Sequence, residues 1–221
     1  MGQIQGQVII EAKALLFDND GVLVDSHQSV DDCWAIWAIE YGIEGFSISN
    51  HYGTRAQDLV LFLVGQDKFE AANNRINELE QESAHETVPL PGAVDLLFSL
   101  PANSWTICTS ANPKLGLARV QAAGLPVPEH FVTGGDVTQG KPAPDPYLLG
   151  AQRLGFDPAD CVVFEDAQAG VESAKAAGVK LVIGVSVRAL DTDADFVVED
   201  LAGISFDGMK LVIPEDKILR R

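Results

Sequence analysis

Asp18 and Asp20 stand two residues apart, directly after the apolar run Ala14 to Phe17. Side chains of an extended chain repeat every second residue, so this spacing can send both carboxylates towards one crevice. Glu165 and Asp166 follow a second apolar run, Cys161 to Phe164, and would bring up to four acidic groups to the same sheet edge. Carboxylates gathered in this way repel one another unless a cation joins them. Hard oxygen donors suit Mg²⁺, which keeps several waters and also binds substrate phosphate. A single Asp-x-Asp would read as a solvated turn, but two acidic pairs, each behind a buried strand, point to a site. Lys141 precedes Pro142 and Pro144, whose rings stiffen the loop that carries it. An ammonium held there could neutralise phosphate or keep Asp18 ionised, although a surface position is the usual fate of a lysine. Thr109 and Ser110 close a third apolar run, Trp105 to Cys108, and could bind a phosphate oxygen or merely cap a turn.

The elements that must position these groups are legible as alternating patterns. Short apolar runs at Ala14, Trp105, Cys161 and Leu181 read as buried parallel strands. Between them lie helical patterns at Val94 to Leu100, Lys114 to Ala123, Pro146 to Leu154 and Ala169 to Ala177, the last stopped by Gly178. The alternation predicts an α/β fold with a doubly wound, Rossmann-like parallel sheet, whose strand ends line the binding crevice. Residues 27–88 break the pattern with helices around Val30 to Tyr41, Arg55 to Val64 and Phe69 to His85. They are expected to form an inserted α-helical cap domain, with 1–26 and 89–221 as the core. Chain crossings near Ser26 and at Pro89, Leu90, Pro91 and Gly92 would serve as its hinge. No motif assigns a place to Phe206 to Arg221, and none assigns an oligomeric state.

Fifteen Lys and Arg against 32 Asp and Glu leave a formal net charge of −17, which repels nucleic acid and anionic membranes. A phosphorylated substrate therefore needs local positive charge. Met1 to Glu11 has neither the basic start nor the apolar run of a secretory signal, and no apolar run approaches the ~20 residues that span a bilayer. A cytoplasmic protein with no nucleic-acid or membrane partner is the expectation. Cys33, Cys108 and Cys161 are odd in number and set in apolar segments, so they read as buried thiols.

The run Phe17-Asp18-Asn19-Asp20-Gly21-Val22-Leu23-Val24-Asp25-Ser26 resembles the first motif of the haloacid dehalogenase superfamily. Thr109, Gly140-Lys141-Pro142 and Val163-Phe164-Glu165-Asp166-Ala167-Gln168-Ala169-Gly170 fall where its other three motifs do. The chain is most similar to the superfamily's sugar-phosphate phosphatases of the 2-deoxyglucose-6-phosphatase and glycerol phosphatase kind. That resemblance implies Asp18 as nucleophile, Asp20 as acid/base, and Thr109 and Lys141 as phosphoryl-binding groups, while Ser110 is a candidate contact by its place at the strand end alone. It also implies Mg²⁺ on Asp18, the Asp20 backbone carbonyl, Asp166 and Glu165, and a small phosphorylated sugar or polyol as substrate.

In the cap, related sugar phosphatases read His-Gly-x-Arg-x-x-Asp where this chain has Tyr52-Gly53-Thr54-Arg55-Ala56-Gln57-Asp58, with His51 displaced by one position. His51, Tyr52, Arg55 and Asp58 are therefore candidate substrate contacts, with Arg55 equally open to pairing with an acid. Asn19 is expected to face away from the acids, and His27 and His85 to be solvated cap residues. Asp20 counts against a dehalogenase, whose motif resembles Asp-x-Tyr. Val30 stands four before Trp34 where a β-phosphoglucomutase resembles His-x-x-x-Trp, which leaves a mutase as runner-up. A non-catalytic binding protein would be expected to have lost an acid or Lys141, and none is lost.

Overall fold

The computed structural model describes residues 6–221 and the backbone of residues 2–4. The chain runs from β1 (Gly2–Ile4) and β2 (Gln7–Glu11) into β3 (Ala14–Phe17) and β4 (Val24–Asp25). Three helices follow, α1 (His27–Tyr41), α2 (Ala56–Val64) and α3 (Gln66–Ser83), before β5 (Val88–Pro89) brings the chain back. Helices and strands then alternate through α4 (Ala93–Ser99), β6 (Trp105–Ile107), α5 (Pro113–Ala122), α6 (Asp145–Leu154) and β7 (Cys161–Glu165). The alternation ends with α7 (Gln168–Ala176), β8 (Leu181–Val185) and β9 (Phe196–Val198). Three short strands complete it: β10 (Ser205–Phe206), β11 (Lys210–Pro214) and β12 (Ile218–Arg220).

The central sheet has six strands in the order β12-β9-β8-β7-β3-β6, parallel except for β12. Its inner strands β3, β7, β8 and β9 are nearly continuous apolar runs because both faces are covered, as the doubly wound expectation requires. Leu15 and Phe17 of β3 join Val162 and Phe164 of β7 on one face, against α4 and α5. Ala14 and Leu16 join Cys161 and Val163 on the other, against Tyr147 and Ala151 of α6 and Val171 and Ala174 of α7. Phe17 and Phe164 stack at 4.9 Å between ring centroids, and burial of each contributes about 1.5–3 kcal/mol. The chain leaves β3 for β6 on one side and later for β7 on the other. That divergence opens a crevice at the strands' carboxyl ends.

The helices between β4 and β5 surround a separate apolar cluster that includes Trp34, Trp37, Val60, Ala72 and Ile76. Trp37 is fully buried, stacks on Tyr41, and donates its indole N–H to the Ala72 carbonyl at 2.9 Å, which ties α1 to α3. The two chain crossings are not independent strings: β4 and β5 pair as an antiparallel ribbon, Val24 with Pro89 and Asp25 with Val88. A second sheet, in the order β1-β2-β11-β10, lies outside the alternating pattern. Val8, Ile10, Leu211 and Ile213 seal it onto the core, which gives the C-terminal segment its place. All three cysteines are buried and free. Among the described residues no helix is long and apolar enough to cross a membrane.

Trp37→Ala should lower stability by about 3–5 kcal/mol. Because Trp37 packs only within the helical cluster, hydrogen exchange should speed up in residues 27–88 before it does in the central sheet. Equal acceleration in both would show that the two cores unfold as one.

Candidate active site

The site follows from strand register. Phe17 of β3 is level with Phe164 of β7, so Asp18 falls level with Glu165 one step further on. By the same alternation both carboxylates point to the α6 side of the sheet, where Lys141 arrives on the loop before α6. The Lys141 ammonium is buried between them, with Nζ 2.6 Å from Asp18 Oδ1 and 2.5 Å from Glu165 Oε1. Tyr147 of α6 donates its hydroxyl to the same Glu165 oxygen at 2.7 Å and sets its ring 5.0 Å from Nζ. The other Glu165 oxygen accepts from the backbone N–H groups of Asp166 and Ala167. Gly170 makes room for this carboxylate, since a Cβ there would lie 1.7 Å from Glu165 Oε1. Glu165 thus spends both oxygens on positioning the lysine and the loop.

Asp18, Glu165 and Asp166 place carboxylate oxygens within 4.8 Å of one another. Burial, then the neighbouring acids, push the Asp18 carboxyl well above its ordinary range against the pull of Lys141. Burial likewise raises Asp166. One ammonium among three buried carboxylates leaves an excess of negative charge on hard oxygen donors, and a divalent cation fits it. Asp18 and Asp166 have oxygens to offer. Gly21 keeps the approach open: its φ is +84°, and a Cβ there would lie 2.1 Å from Asp166 Oδ2.

Asp20 turns away from this cluster. Its Oδ1 accepts from Ser26 at 2.6 Å and from the Arg119 guanidinium of α5 at 3.1 Å. Burial pushes its carboxyl up, but Arg119 and the hydrogen bonds from Ser26 and Asn19 outweigh it and hold it below the ordinary value. Thr109 Oγ1 lies 3.5 Å from Asp20 Oδ2 and also accepts from the Ala111 N–H. Ser110 donates its hydroxyl to the Gly53 carbonyl at 2.6 Å and so joins the core to the helical insert.

Asp18, Asp20, Ser110, Arg119 and Asp166 border a cavity of about 310 Å³ between the central sheet and the insert. His51 and Tyr52 line it, together with Asn73, Asn77 and Glu80 of α3. The Tyr52 hydroxyl is committed to Asp31, and burial with that acid pushes its pKa up to about 12.

Arg55 also borders the cavity, yet its five donors are taken. They go to both Asp58 oxygens and to the carbonyls of Gly134, Val137 and Thr138. The guanidinium is a clasp between insert and core with no N–H left for a substrate, and Asp58, its partner, lies outside this cavity's lining. Of the two readings open for Arg55, pairing with an acid is the one that the structure supports.

Two further expectations change. His27 is not a solvated residue: α1 begins directly after the β4 crossing, which sets His27 Nε2 3.2 Å from Asp166 Oδ2 with its side chain 11% exposed. Asn19 does not face away from the acids, since its amide nitrogen lies 3.4 Å from Asp20 Oδ2. His85, by contrast, is exposed as expected. Arg119, Tyr147 and Glu80 were not candidates at all. Tyr147 had a faint signal, six residues after Lys141 on the inward face of the next helix; Arg119 looked like an ordinary helix cation.

The family model for haloacid dehalogenase-like hydrolases matches residues 12–178. Hexitol phosphatase A of Escherichia coli (strain K12) is 40% identical over 206 residues, which cover 89% of this chain and 94% of that protein. Glycerol-1-phosphate phosphohydrolase 2 of Saccharomyces cerevisiae is 32% identical, over 90% of this chain and 83% of its own. The crystal structure of a hydrolase from Pseudomonas syringae superposes with a TM-score of 0.74 at 24% identity, covering 85% of this chain and 93% of that one, which speaks for the fold. With these matches and the four motifs gathered at one crevice, the chain belongs to the haloacid dehalogenase-like hydrolases.

Proposed function

We propose that the protein is a Mg²⁺-dependent phosphatase that hydrolyses a small phosphorylated sugar or polyol through an aspartyl-phosphate on Asp18. The observation that carries this reading is the buried Lys141 ammonium between Asp18 and Glu165, beside a second acid held apart by Arg119. A carboxylate is a weak nucleophile that repels phosphate, and a fixed ammonium in a desolvated site counters both handicaps. Lys141 orients Asp18 Oδ1 and leaves the other oxygen free to attack phosphorus. Asp20 faces the leaving oxygen. An incoming phosphate dianion raises its proton affinity by the same Coulomb effect through which Arg119 lowers it, so Asp20 can protonate the leaving alkoxide and then take a proton from water.

When bound on Asp18, Asp166 and the Asp20 carbonyl, Mg²⁺ would neutralise phosphate charge in the transition state. The Thr109 hydroxyl and the Ser110 backbone N–H supply donors at the neighbouring strand end, the Ser110 hydroxyl being committed to Gly53. The insert 27–88 acts as the cap, and its contacts through Ser110 and Arg55 close the crevice and exclude water. The sugar or polyol substrate is supported by the names of the curated relatives and by the size of the cavity.

Asp18→Asn should keep the fold while hydrolysis falls by several orders of magnitude, because an amide cannot accept the phosphoryl group. Turnover near wild type in that variant would remove Asp18 from the nucleophile's role.

Metal binding has a readout in stability. The raised Asp18 and Asp166 carboxyls stabilise the fold only where they are protonated, and that contribution is lost as pH rises through their folded values. At neutral pH the cluster therefore costs stability that Mg²⁺ should restore, by about 2.7 kcal/mol at one hundred times its Kd. The increment should shrink as pH falls, since protons compete for the same oxygens. A melting temperature indifferent to Mg²⁺ at neutral pH would contradict the site.

Arg55→Ala should lower kcat/KM for a sugar phosphate and for an aryl phosphate by a similar factor, on the order of tenfold or more, because it loosens the cap rather than a substrate contact. A loss confined to the sugar phosphate would return Arg55 to the binding residues.

A further inference from the structure

The cavity's polar wall carries hydrogen-bonding capacity that the protein does not use. Arg119 is 4% exposed, and only its Nη1 has a hydrogen-bond partner, Asp20. Among the described residues its Nε is buried without one, and its Nη2 is only loosely paired with Glu80, at 3.6 Å. Across from it on α3, Asn73 Oδ1 is also buried and unpartnered. Asn73, Asn77 and Glu80 follow one another at helical spacing along the face of α3 that lines the cavity. Asn77 is occupied: its Oδ1 accepts from Asn112 at 2.9 Å, which pins α3 against the start of α5. Arg119, Asn73 and Glu80 all line the cavity, so an unpartnered Nε, a loosely paired Nη2, an unpartnered Asn73 Oδ1 and the Glu80 carboxyl stand at its wall. Leaving such groups bare costs free energy that a bound partner would recover.

We propose that Arg119, Glu80 and Asn73 read hydroxyl groups on the leaving alcohol, so that the enzyme selects uncharged polyhydroxylated monophosphates. The proposal rests on the phosphatase reading and adds what that reading leaves open, the part of the substrate beyond the ester oxygen. A hydroxyl both accepts and donates, so it can take a hydrogen bond from Arg119 and give one to Glu80 or Asn73. Glu80 offers an oxygen to it in either protonation state. An alkyl chain satisfies none of these groups. A carboxylate or second phosphate would meet the carboxyls of Asp20 and Glu80, between which the Arg119 guanidinium is already shared. Because Arg119 also holds Asp20, the group that meets the ester oxygen, the hydroxyls it reads belong on carbons close to that oxygen. The three residues act on specificity, and Arg119 also positions Asp20.

The test compares kcat/KM for glycerol 1-phosphate, propyl phosphate and p-nitrophenyl phosphate in wild type, Asn73→Leu and Glu80→Gln. Glycerol 1-phosphate and propyl phosphate share a carbon chain and differ in hydroxyls. In wild type the ratio of glycerol to propyl phosphate should be on the order of tenfold or more, the scale of one hydrogen bond to a charged group. Each variant should bring that ratio towards one. Asn73→Leu is nearly isosteric and removes an unpaired buried acceptor, so its melting temperature should equal or exceed wild type; a fold-supporting asparagine would show the opposite. A wild-type ratio near one, or a ratio unmoved by both variants, would overturn the proposal while leaving the phosphatase intact. No hydrolysis of any of the three esters would overturn the phosphatase reading, and the proposal with it.

Discussion

A single buried ammonium sets the terms for the rest of the molecule. Lys141 has no solvent around it, so it stays charged only because Asp18 and Glu165 surround it; burial alone would pull its proton off, and the two carboxylates hold it on. Those carboxylates would in turn be untenable side by side without it. The arrangement needs two adjacent parallel strands in register, a loop that delivers a lysine from the α6 side, and a tyrosine behind to fix the second acid. Each requirement is met by a separate stretch of chain: β3, β7, the proline-bounded loop 140–144, and α6.

Around that centre the two acids of the first loop are driven to different work. Asp18 sits among carboxylates and one ammonium. Asp20, two residues on, is drawn to Arg119 and Ser26. Burial and neighbouring acids raise Asp18 while Arg119 and hydrogen bonds lower Asp20, so the roles proposed for them require a cation on Asp18 and phosphate beside Asp20 to reverse both shifts. The cap contributes through the same residues: Glu80 approaches Arg119, His27 orients Asp166, and Gly53 receives the Ser110 hydroxyl.

Much of this was legible in the residues themselves. Buried parallel strands are continuous apolar runs, and each of the three that carry site residues ends abruptly in polar residues, so their ends stand out. The helices were readable from their periodicity to within a few residues at each end, with Gln66 rather than Phe69 opening α3. What stayed hidden depends on long-range packing. Arg119 and Glu80 lie on helices whose patterns look like ordinary amphipathic surfaces, and only the docking of α3 on α5 turns them inward. The clasp of Arg55 was half visible, because Asp58 lies one turn on, but its three carbonyl partners belong to backbone, which has no signature in composition. The second sheet joins β2 to β11 across nearly the whole chain, and neither strand is long enough to announce its partner.

The central claim is that Asp18 itself receives the phosphoryl group. It is tested most directly by quenching the enzyme during turnover of a sugar phosphate, reducing the acyl phosphate with borohydride, and mapping the product by peptide mass spectrometry. The account predicts homoserine at position 18 and at no other aspartate, in proportion to enzyme trapped mid-reaction. Unmodified Asp18 under conditions where phosphate is being released, or modification at Asp20 or Asp166 instead, would contradict it.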